Sequence, residues 1–100
     1  MELRDYYEEF RTRGVEVVAL AVNTREAVEG AQAAVRAPYP MLADPDHRVA
    51  EAYGVYNLLG DGLAGPAVFV IAEDGRILWS YVGQHIGDRP AAADILTHLP

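Results

Sequence analysis

The sequence contains no cysteine and no lysine among its 100 residues. The absence of cysteine excludes disulfide bonds, thiolate metal sites and thiol catalysis within these residues. The absence of lysine excludes Schiff-base chemistry, because that chemistry requires an amine side chain. All 8 basic residues other than histidine are therefore arginines.

Positive charge is scarce as well, since 15 acidic residues against 8 basic ones give a formal net charge of −7. Nucleic acid is not expected as a partner, because phosphate binding requires a basic surface. Apolar runs such as VVALAV and AVFVIA are far shorter than the roughly 20 residues that span a bilayer. No signal stretch opens the chain, so we expect a soluble cytoplasmic protein without a membrane partner.

The composition indicates a single small globular domain over residues 1–100. Apolar residues make up 51% of the chain. A chain of this length buries roughly 60 to 70% of its extended surface on folding, which provides a thin core. The hydrophobic pattern is regular and shows no repeat or linker, so intrinsic disorder is not expected.

The first part of the chain predicts two helices around one buried strand. Apolar residues spaced at i, i+3, i+4 and i+7 predict an amphipathic helix over residues 2–13 that ends at Gly14. The valine-rich run 15–22 predicts a strand covered on both faces. Asn23 and Glu26 form a capping-box pattern for a second helix, over TREAVEGAQAAVRA.

The second part predicts a short helix, a hairpin and a last helix. After an extended PYPML segment, Asp44 is the expected N-cap of a helix that turns Val49 and Tyr53 inward. AVFVIA predicts a second buried strand, which an Asp-Gly turn joins to ILWSYV. Asp88 is expected to cap a last helix. The predicted inward stripe of that helix is Ala92, Ile95, Leu96 and Leu99.

This order of elements predicts an α/β fold with a mixed sheet. The strands at 15–22 and 67–72 are expected to run parallel through a long crossover, and the hairpin adds an antiparallel edge. An α+β domain that simply begins with a helix fits the pattern alone equally well.

Side chains that carry common catalytic chemistry do not form a recognisable site. Asp44 and Asp46 near Glu51 could form a paired-carboxylate site, but at a helix start they fit interaction with the helix dipole better. Ser80 lies in a strand without the turn of a nucleophilic serine. The three histidines lack metal-site spacing, so we expect no metal and interpret them as surface residues: His47, His85 and His98.

Gly65 and Pro66 stand where the second buried strand begins. A proline is tolerated there, since the first strand position needs no N–H. Two interpretations stay open from the residues alone. Pro66 is either an ordinary trans strand starter or follows a cis peptide bond, which costs about 0.5 to 1 kcal/mol over trans.

Three segments follow one another along the chain: MLADPDHRVAEAYGVY, the Gly65-Pro66 pair before FVIAEDGRILWSYVG, and DRP at the last helix. In this order they resemble the alkyl hydroperoxide reductase/thiol-specific antioxidant (AhpC/TSA, redoxin) branch of the thioredoxin-like superfamily. The opening LRDYYEEFRTRGVEVVALAVNT is similar to the family segment that follows the reactive cysteine. The resemblance covers essentially the whole chain. It implies a truncated thioredoxin-like fold, related to peroxiredoxins and other antioxidant oxidoreductases of cell redox homeostasis.

By this resemblance Pro66 is the family's cis-proline, and Gly65 and Pro66 form one wall of the substrate site, facing the reactive thiol. Two positions depart from the family pattern. The family usually has Asp where this chain has Ala72, and peroxiredoxins proper often carry an Arg near the position of Pro66. The match therefore leans toward thioredoxin-like redoxins. We expect no bound cofactor.

The strand and the cysteine-bearing loop that precede the first helix in the family have no counterpart in this sequence. The resemblance therefore implies a chain that is catalytically inert alone. In the family the missing strand lies between those matching 15–22 and 67–72, so these two either pair directly or leave unpaired edges. Unpaired edges favour an interaction module that forms a homodimer or binds a redox protein partner. A third interpretation is a chain shortened at its gene start or by its preparation.

Overall fold

The structure, a computed structural model, describes residues 2–99 as four helices and four strands. The helices are α1 (Glu2–Thr12), α2 (Arg25–Val35), α3 (Arg48–Ala52) and α4 (Ala92–Leu96). The strands are β1 (Ala19–Ala21), β2 (Met41–Ala43), β3 (Ala67–Ile71) and β4 (Ile77–Val82). None of the helices in this part of the chain is long and apolar enough to cross a membrane.

The strands form two separate two-stranded sheets. β1 pairs in parallel with β2, and β3 pairs in antiparallel with β4. The expected α/β fold with parallel and antiparallel pairing and a C-terminal hairpin is therefore present. The strand at 15–22 does not pair with the strand at 67–72, however. Its partner is β2, because the backbone after Pro40 is extended and Ala19 N donates to Pro40 O at 2.9 Å.

β1 is shorter and less covered than the valine-rich run predicts. Only three residues of the run are paired as a strand. Its faces are also unequal, since Val18 and Leu20 are exposed, at 55% and 37%. Leu42, opposite Leu20 in the parallel pair, is likewise 50% exposed. The expectation of a strand buried on both faces is therefore wrong for this sheet.

One buried cluster joins the two ends of the chain. It consists of Phe10 from α1, Val70 from β3, and Ile95 and Leu96 from α4. Residues leading into β1 also pack against this cluster, as do further residues of α1 and of the hairpin: Leu3, Tyr6, Val15, Val17, Val68, Trp79 and Leu99. α1 and α4 therefore cover one common face, which confirms the inward stripes predicted for these helices.

Helix α1 confirms the predicted first helix, with its end at Gly14. Gly14 has a φ of +76°, a left-handed conformation that glycine adopts without a steric penalty. The N-cap of α2 differs by one residue from the prediction. Thr24 Oγ1, and not Asn23, accepts from Ala27 N at 3.2 Å, while Asn23 Oδ1 accepts from Thr24 N. A side-chain oxygen that accepts from the backbone N–H three residues later, as Thr24 does, is typical of an N-cap.

Helix α3 begins at Arg48, four residues after the expected cap Asp44. Asp44 nevertheless satisfies its first turn, because its carboxylate accepts from Val49 N at 3.3 Å and Ala50 N at 2.9 Å. Val49 and Tyr53 are 41% and 39% exposed, so their predicted inward orientation is wrong. Ala50 is the buried residue of this helix, at 1% exposure.

The hairpin follows the sequence pattern closely. Gly75 has a φ of +92°, and Arg76 N donates to Asp74 Oδ1 at 3.1 Å, which closes the turn. The ladder shifts by one residue between Val70 and Ile71. This β-bulge lies next to the turn, where extra twist is accommodated.

Candidate functional site

Gly65 and Pro66 lie where the loop after α3 enters β3. Backbone hydrogen bonds hold both residues. Gly65 N donates to Val55 O at 2.8 Å, and Gly83 N donates to Pro66 O at 2.7 Å. Gly65 is buried, and a Cβ there would lie 3.2 Å from Leu58 Cδ1. The pair is therefore a fixed part of the backbone between two elements.

The peptide bond between Gly65 and Pro66 is trans, since residues 2–99 contain no cis peptide bond. The expectation of a cis bond is wrong. Ala67 directly after Pro66 already pairs with Val82 in the β3–β4 ladder. A trans bond continues this extended path, so Pro66 is the strand-starting proline that the residues alone also allowed.

Gly83 packs against Pro66 from the end of β4. A Cβ on Gly83 would lie 2.8 Å from Pro66 Cγ and even closer to the backbone oxygen of Asp88. Only a residue without a side chain fits this space. Gly83 is not among the site residues predicted from the sequence, although a glycine in or beside a strand is a recognised sign of close backbone approach.

Asp88 closes the loop that follows Gly83. Its carboxylate accepts from the Tyr81 hydroxyl at 2.5 Å and from Gln84 N at 2.8 Å. The hydrogen bond from Tyr81, then that from Gln84 N, lowers the pKa of the Asp88 carboxyl. The same bond, with some desolvation, raises the pKa of the Tyr81 hydroxyl. The prediction that Asp88 caps α4 is therefore wrong. α4 begins later, after an Ala91 N-cap without a side-chain bond.

We define the Pro66 wall as Gly65, Pro66, Tyr81, Gly83 and Asp88. Residues that are up to 23 positions apart in the chain meet here through the hydrogen bonds and contacts described above. Ile86, which lies between Gly83 and Asp88 in the sequence, is 71% exposed. The wall offers an apolar ring and an ionised carboxylate whose oxygens already accept hydrogen bonds, so it can shape a site but holds no nucleophile.

The other candidate residues lie elsewhere and do not converge. Residues 2–99 contain no group of three or more His, Asp or Glu side chains that could hold a metal ion. His47 stacks on Tyr56 with ring centroids 4.0 Å apart. Its Nδ1 lies 2.7 Å from Glu51 Oε1 and forms no hydrogen bond within the described residues. Ser80 is exposed on β4.

The three acidic residues around α3 do not form a paired-carboxylate site. Asp44 is 5% exposed and accepts from the helix backbone. Glu51 faces His47, and Asp46 is exposed. The interpretation that Asp44 serves the start of the helix is confirmed, because a carboxylate there satisfies amide groups that no helical carbonyl reaches.

Comparison with known proteins identifies relatives of this chain. The AhpC/TSA family matches residues 1–80. A Mycobacterium tuberculosis peroxiredoxin is 32% identical over 82 residues, which cover 77% of this chain and 52% of that protein. Chloroplastic peroxiredoxin Q of Sedum lineare is 28% identical over 81 residues, covering 81% of this chain and 44% of its own. The chain thus spans about half the length of these relatives.

Solved structures share its fold. The crystal structure of Enterococcus faecalis AhpC superposes with a TM-score of 0.89 at 22% identity, covering 98% of this chain and 60% of that one. Mycobacterium tuberculosis AhpC superposes with a TM-score of 0.83 at 20% identity, covering 94% and 53%. The thioredoxin-like fold implied by the resemblance is therefore confirmed. With four-fifths of its residues matched, this chain belongs to the AhpC/TSA family.

Proposed function

We propose that this chain is the part of a thiol-dependent antioxidant domain that carries the Pro66 wall but not the reacting sulfur. The observation that carries the proposal is the absence of cysteine from a chain of this family. A thiol peroxidase reduces a peroxide to an alcohol or water while thiols are oxidised to a disulfide. The first step needs a thiolate nucleophile with a lowered pKa.

By this proposal residues 1–100 have no peroxidase or disulfide-exchange activity alone. Gly65 and Pro66 form one wall of a substrate site, and the thiolate that faces Pro66 comes from another polypeptide segment.

A peroxide-consumption assay with hydrogen peroxide and excess dithiothreitol tests the proposal. The chain contains 2 methionines, and each thioether can consume one peroxide as it is converted to the sulfoxide. We therefore expect consumption above the protein-free blank to stop at 2 equivalents per chain. A cysteine-containing AhpC/TSA protein serves as the positive control. Sustained turnover beyond 2 equivalents would contradict the proposal.

A second proposed function is a non-catalytic interaction module. Its support is that, among the described residues, β1 pairs only with β2 and β3 pairs only with β4, so each strand has one unpaired edge. Apolar side chains of these strands and their neighbours are exposed: Val18, Leu20, Ile71 and Val82. Strand addition from a second copy would pair the free backbone groups and cover these side chains.

Sedimentation velocity at micromolar concentration tests this second function. We expect the wild-type chain to form a dimer and Leu20→Asp to be a monomer. A charged side chain on the exposed face of β1 would have to be buried in the dimer interface, which is unfavourable. Ile86→Asp is the matched control, since Ile86 is exposed on a loop far from β1 in sequence. A wild-type chain that is monomeric throughout, or a dimer insensitive to Leu20→Asp, would remove the proposal's support.

A further inference from the structure

An open surface cavity of about 420 Å³ lies between β4 and the C-terminal segment. This volume is within the roughly 300 to 1,000 Å³ of small-molecule sites. We call it the aromatic cavity. The side chains that matter for its chemistry are Trp79, Tyr81, Arg89, Asp94 and His98. Four of them come from residues 81–100, beyond the match to the family, so that match does not cover most of this cavity.

Three aromatic rings line the aromatic cavity. His98 stacks on Trp79, with ring centroids 4.2 Å apart and an interplanar angle of 7°. Tyr81 lies beside Trp79 at 6.3 Å and 36°. A planar aromatic ligand can pack against these rings either offset-stacked or edge-to-face, which are the preferred arrangements of aromatic pairs.

Two opposite charges line the same cavity without a partner. Neither the Arg89 guanidinium nor the Asp94 carboxylate forms an ion pair or a hydrogen bond within residues 2–99. Among the described residues, Asp94 accepts hydrogen bonds only through its backbone oxygen, from Thr97 N and from Thr97 Oγ1. A planar guanidinium pairs with a carboxylate through two parallel hydrogen bonds. A carboxylate accepts from an amine or hydroxyl group.

The net charge of −7 decides between classes of anionic ligand. A polyanion such as a nucleotide would be repelled by the field of the whole chain. A ligand with a single carboxylate avoids most of this repulsion and still satisfies Arg89. A hydrogen-bond donor elsewhere on the ligand would satisfy Asp94.

We propose that the aromatic cavity binds a small planar aromatic carboxylate that also carries an amine or hydroxyl donor. The ring lies against Trp79, Tyr81 and His98, the carboxylate pairs with Arg89, and the donor reaches Asp94. This binding activity is independent of thiol chemistry, so it does not rest on the function proposed above.

The test titrates the ¹⁵N-labelled chain with 4-aminobenzoate at pH 7 and follows the indole N–H signal. Trp79 is the only tryptophan, so a single resonance reports on the cavity. We expect a saturable shift with a dissociation constant below about 1 mM. Arg89→Gln should weaken binding about tenfold or more, because hydrogen bonds to a charged group are lost. Arg48→Gln, an exposed arginine on α3, should leave it unchanged.

Two further probes separate the parts of the proposal. Cyclohexanecarboxylate lacks the aromatic ring and aniline lacks the carboxylate, and each should bind at least tenfold more weakly than 4-aminobenzoate. No shift of the Trp79 signal at 10 mM 4-aminobenzoate would overturn the proposal. Equal affinity of Arg89→Gln, with its other resonances unchanged, or equal affinity for cyclohexanecarboxylate, would overturn it as well.

Discussion

The hydroxyl of Tyr81 donates a hydrogen bond of 2.5 Å to Asp88 Oδ1 across the loop that connects β4 to the C-terminal segment. The other oxygen of the same carboxylate accepts from Gln84 N. The loop is thereby closed at both carboxylate oxygens. This closure places the Asp88 backbone against Gly83, and Gly83 against Pro66.

Asp88→Asn should destabilise the chain in a pH-dependent way. Hydrogen bonds from Tyr81 and then Gln84 N lower the pKa of the Asp88 carboxyl in the folded state. A carboxyl with a lowered folded pKa stabilises the fold above its unfolded pKa, about 3.9. That stabilisation disappears as the pH falls through the folded value. The difference in free energy of unfolding between wild type and Asp88→Asn should therefore be largest near pH 6 and shrink below about pH 4.

Urea denaturation at a series of pH values from 3 to 7 measures this difference. Asp5→Asn is the control, since Asp5 is exposed on α1. A deficit of Asp88→Asn that stays constant over the whole range would mean that the carboxyl pKa is not lowered by these hydrogen bonds.

Gly83→Ala should destabilise the fold, while Gly30→Ala should not. A Cβ on Gly83 would meet Pro66 Cγ and the Asp88 backbone, so the wall must shift, at a cost of about 1 to 3 kcal/mol. A Cβ on Gly30, inside α2, would meet no atom within 4 Å apart from the adjacent residues and the backbone of its own helix, and alanine there should stabilise by about 0.5 to 1 kcal/mol. Urea midpoints of the two variants measure the contrast. Equal effects would contradict the tight contact at Gly83.

Asp44→Ala should remove the cap of α3 and lower the free energy of unfolding by about 0.5 to 2 kcal/mol. The buried carboxylate accepts from Val49 N and Ala50 N, and alanine leaves both donors without this partner. Asp46→Ala, two residues away and exposed, should change stability by no more than about 0.5 kcal/mol. Thermal unfolding followed by circular dichroism compares the two. If both variants unfold at the same temperature, Asp44 does not act as the cap.

Phe10→Ala should cost about 3 to 5 kcal/mol, because it empties the centre of the main buried cluster. Phe10 is 2% exposed and contacts residues from both ends of the chain. A small domain has a total stability of about 5 to 15 kcal/mol, so Phe10→Leu provides a milder variant that keeps most of the volume. Ile86→Ala, at an exposed loop residue, is the control. Denaturation curves of Phe10→Leu and Ile86→Ala that coincide would rule out this view of the core.

Elements with a strong local pattern were predicted well. The spacing of Leu3, Tyr6 and Phe10 gave the first helix and its buried face, and Asp74-Gly75 gave the hairpin turn. Both signals act within a few residues, because helix periodicity and turn conformation depend on neighbours in the chain. The family resemblance was based on several such local segments in the right order. It was confirmed by the match of residues 1–80 to the AhpC/TSA family.

The errors concern relationships between distant residues. The partner of β1 is β2 because the backbone beyond Pro40 lies beside it, which nothing in the local pattern of PYPML specifies. Asp88 has the sequence context of a helix cap, yet it binds Tyr81, seven residues earlier. A carboxylate such as that of Asp88 can accept from a helix N-terminus or from another donor. The tertiary fold decides which of these donors lies within hydrogen-bond distance.

The amino-acid sequence by itself determined that no sulfur nucleophile lies within these 100 residues, and it determined which segments are helical or paired as a hairpin. A reaction that needs a cysteine sulfur is excluded wherever that sulfur is missing, whatever the fold. Helix and turn conformations are set by adjacent residues, so they too depend little on the rest of the fold. Tertiary structure alone decided the trans bond at Pro66, the closure of the loop by Asp88 and the meeting of Trp79 with His98. Each depends on groups that come together only when the helices and the hairpin pack.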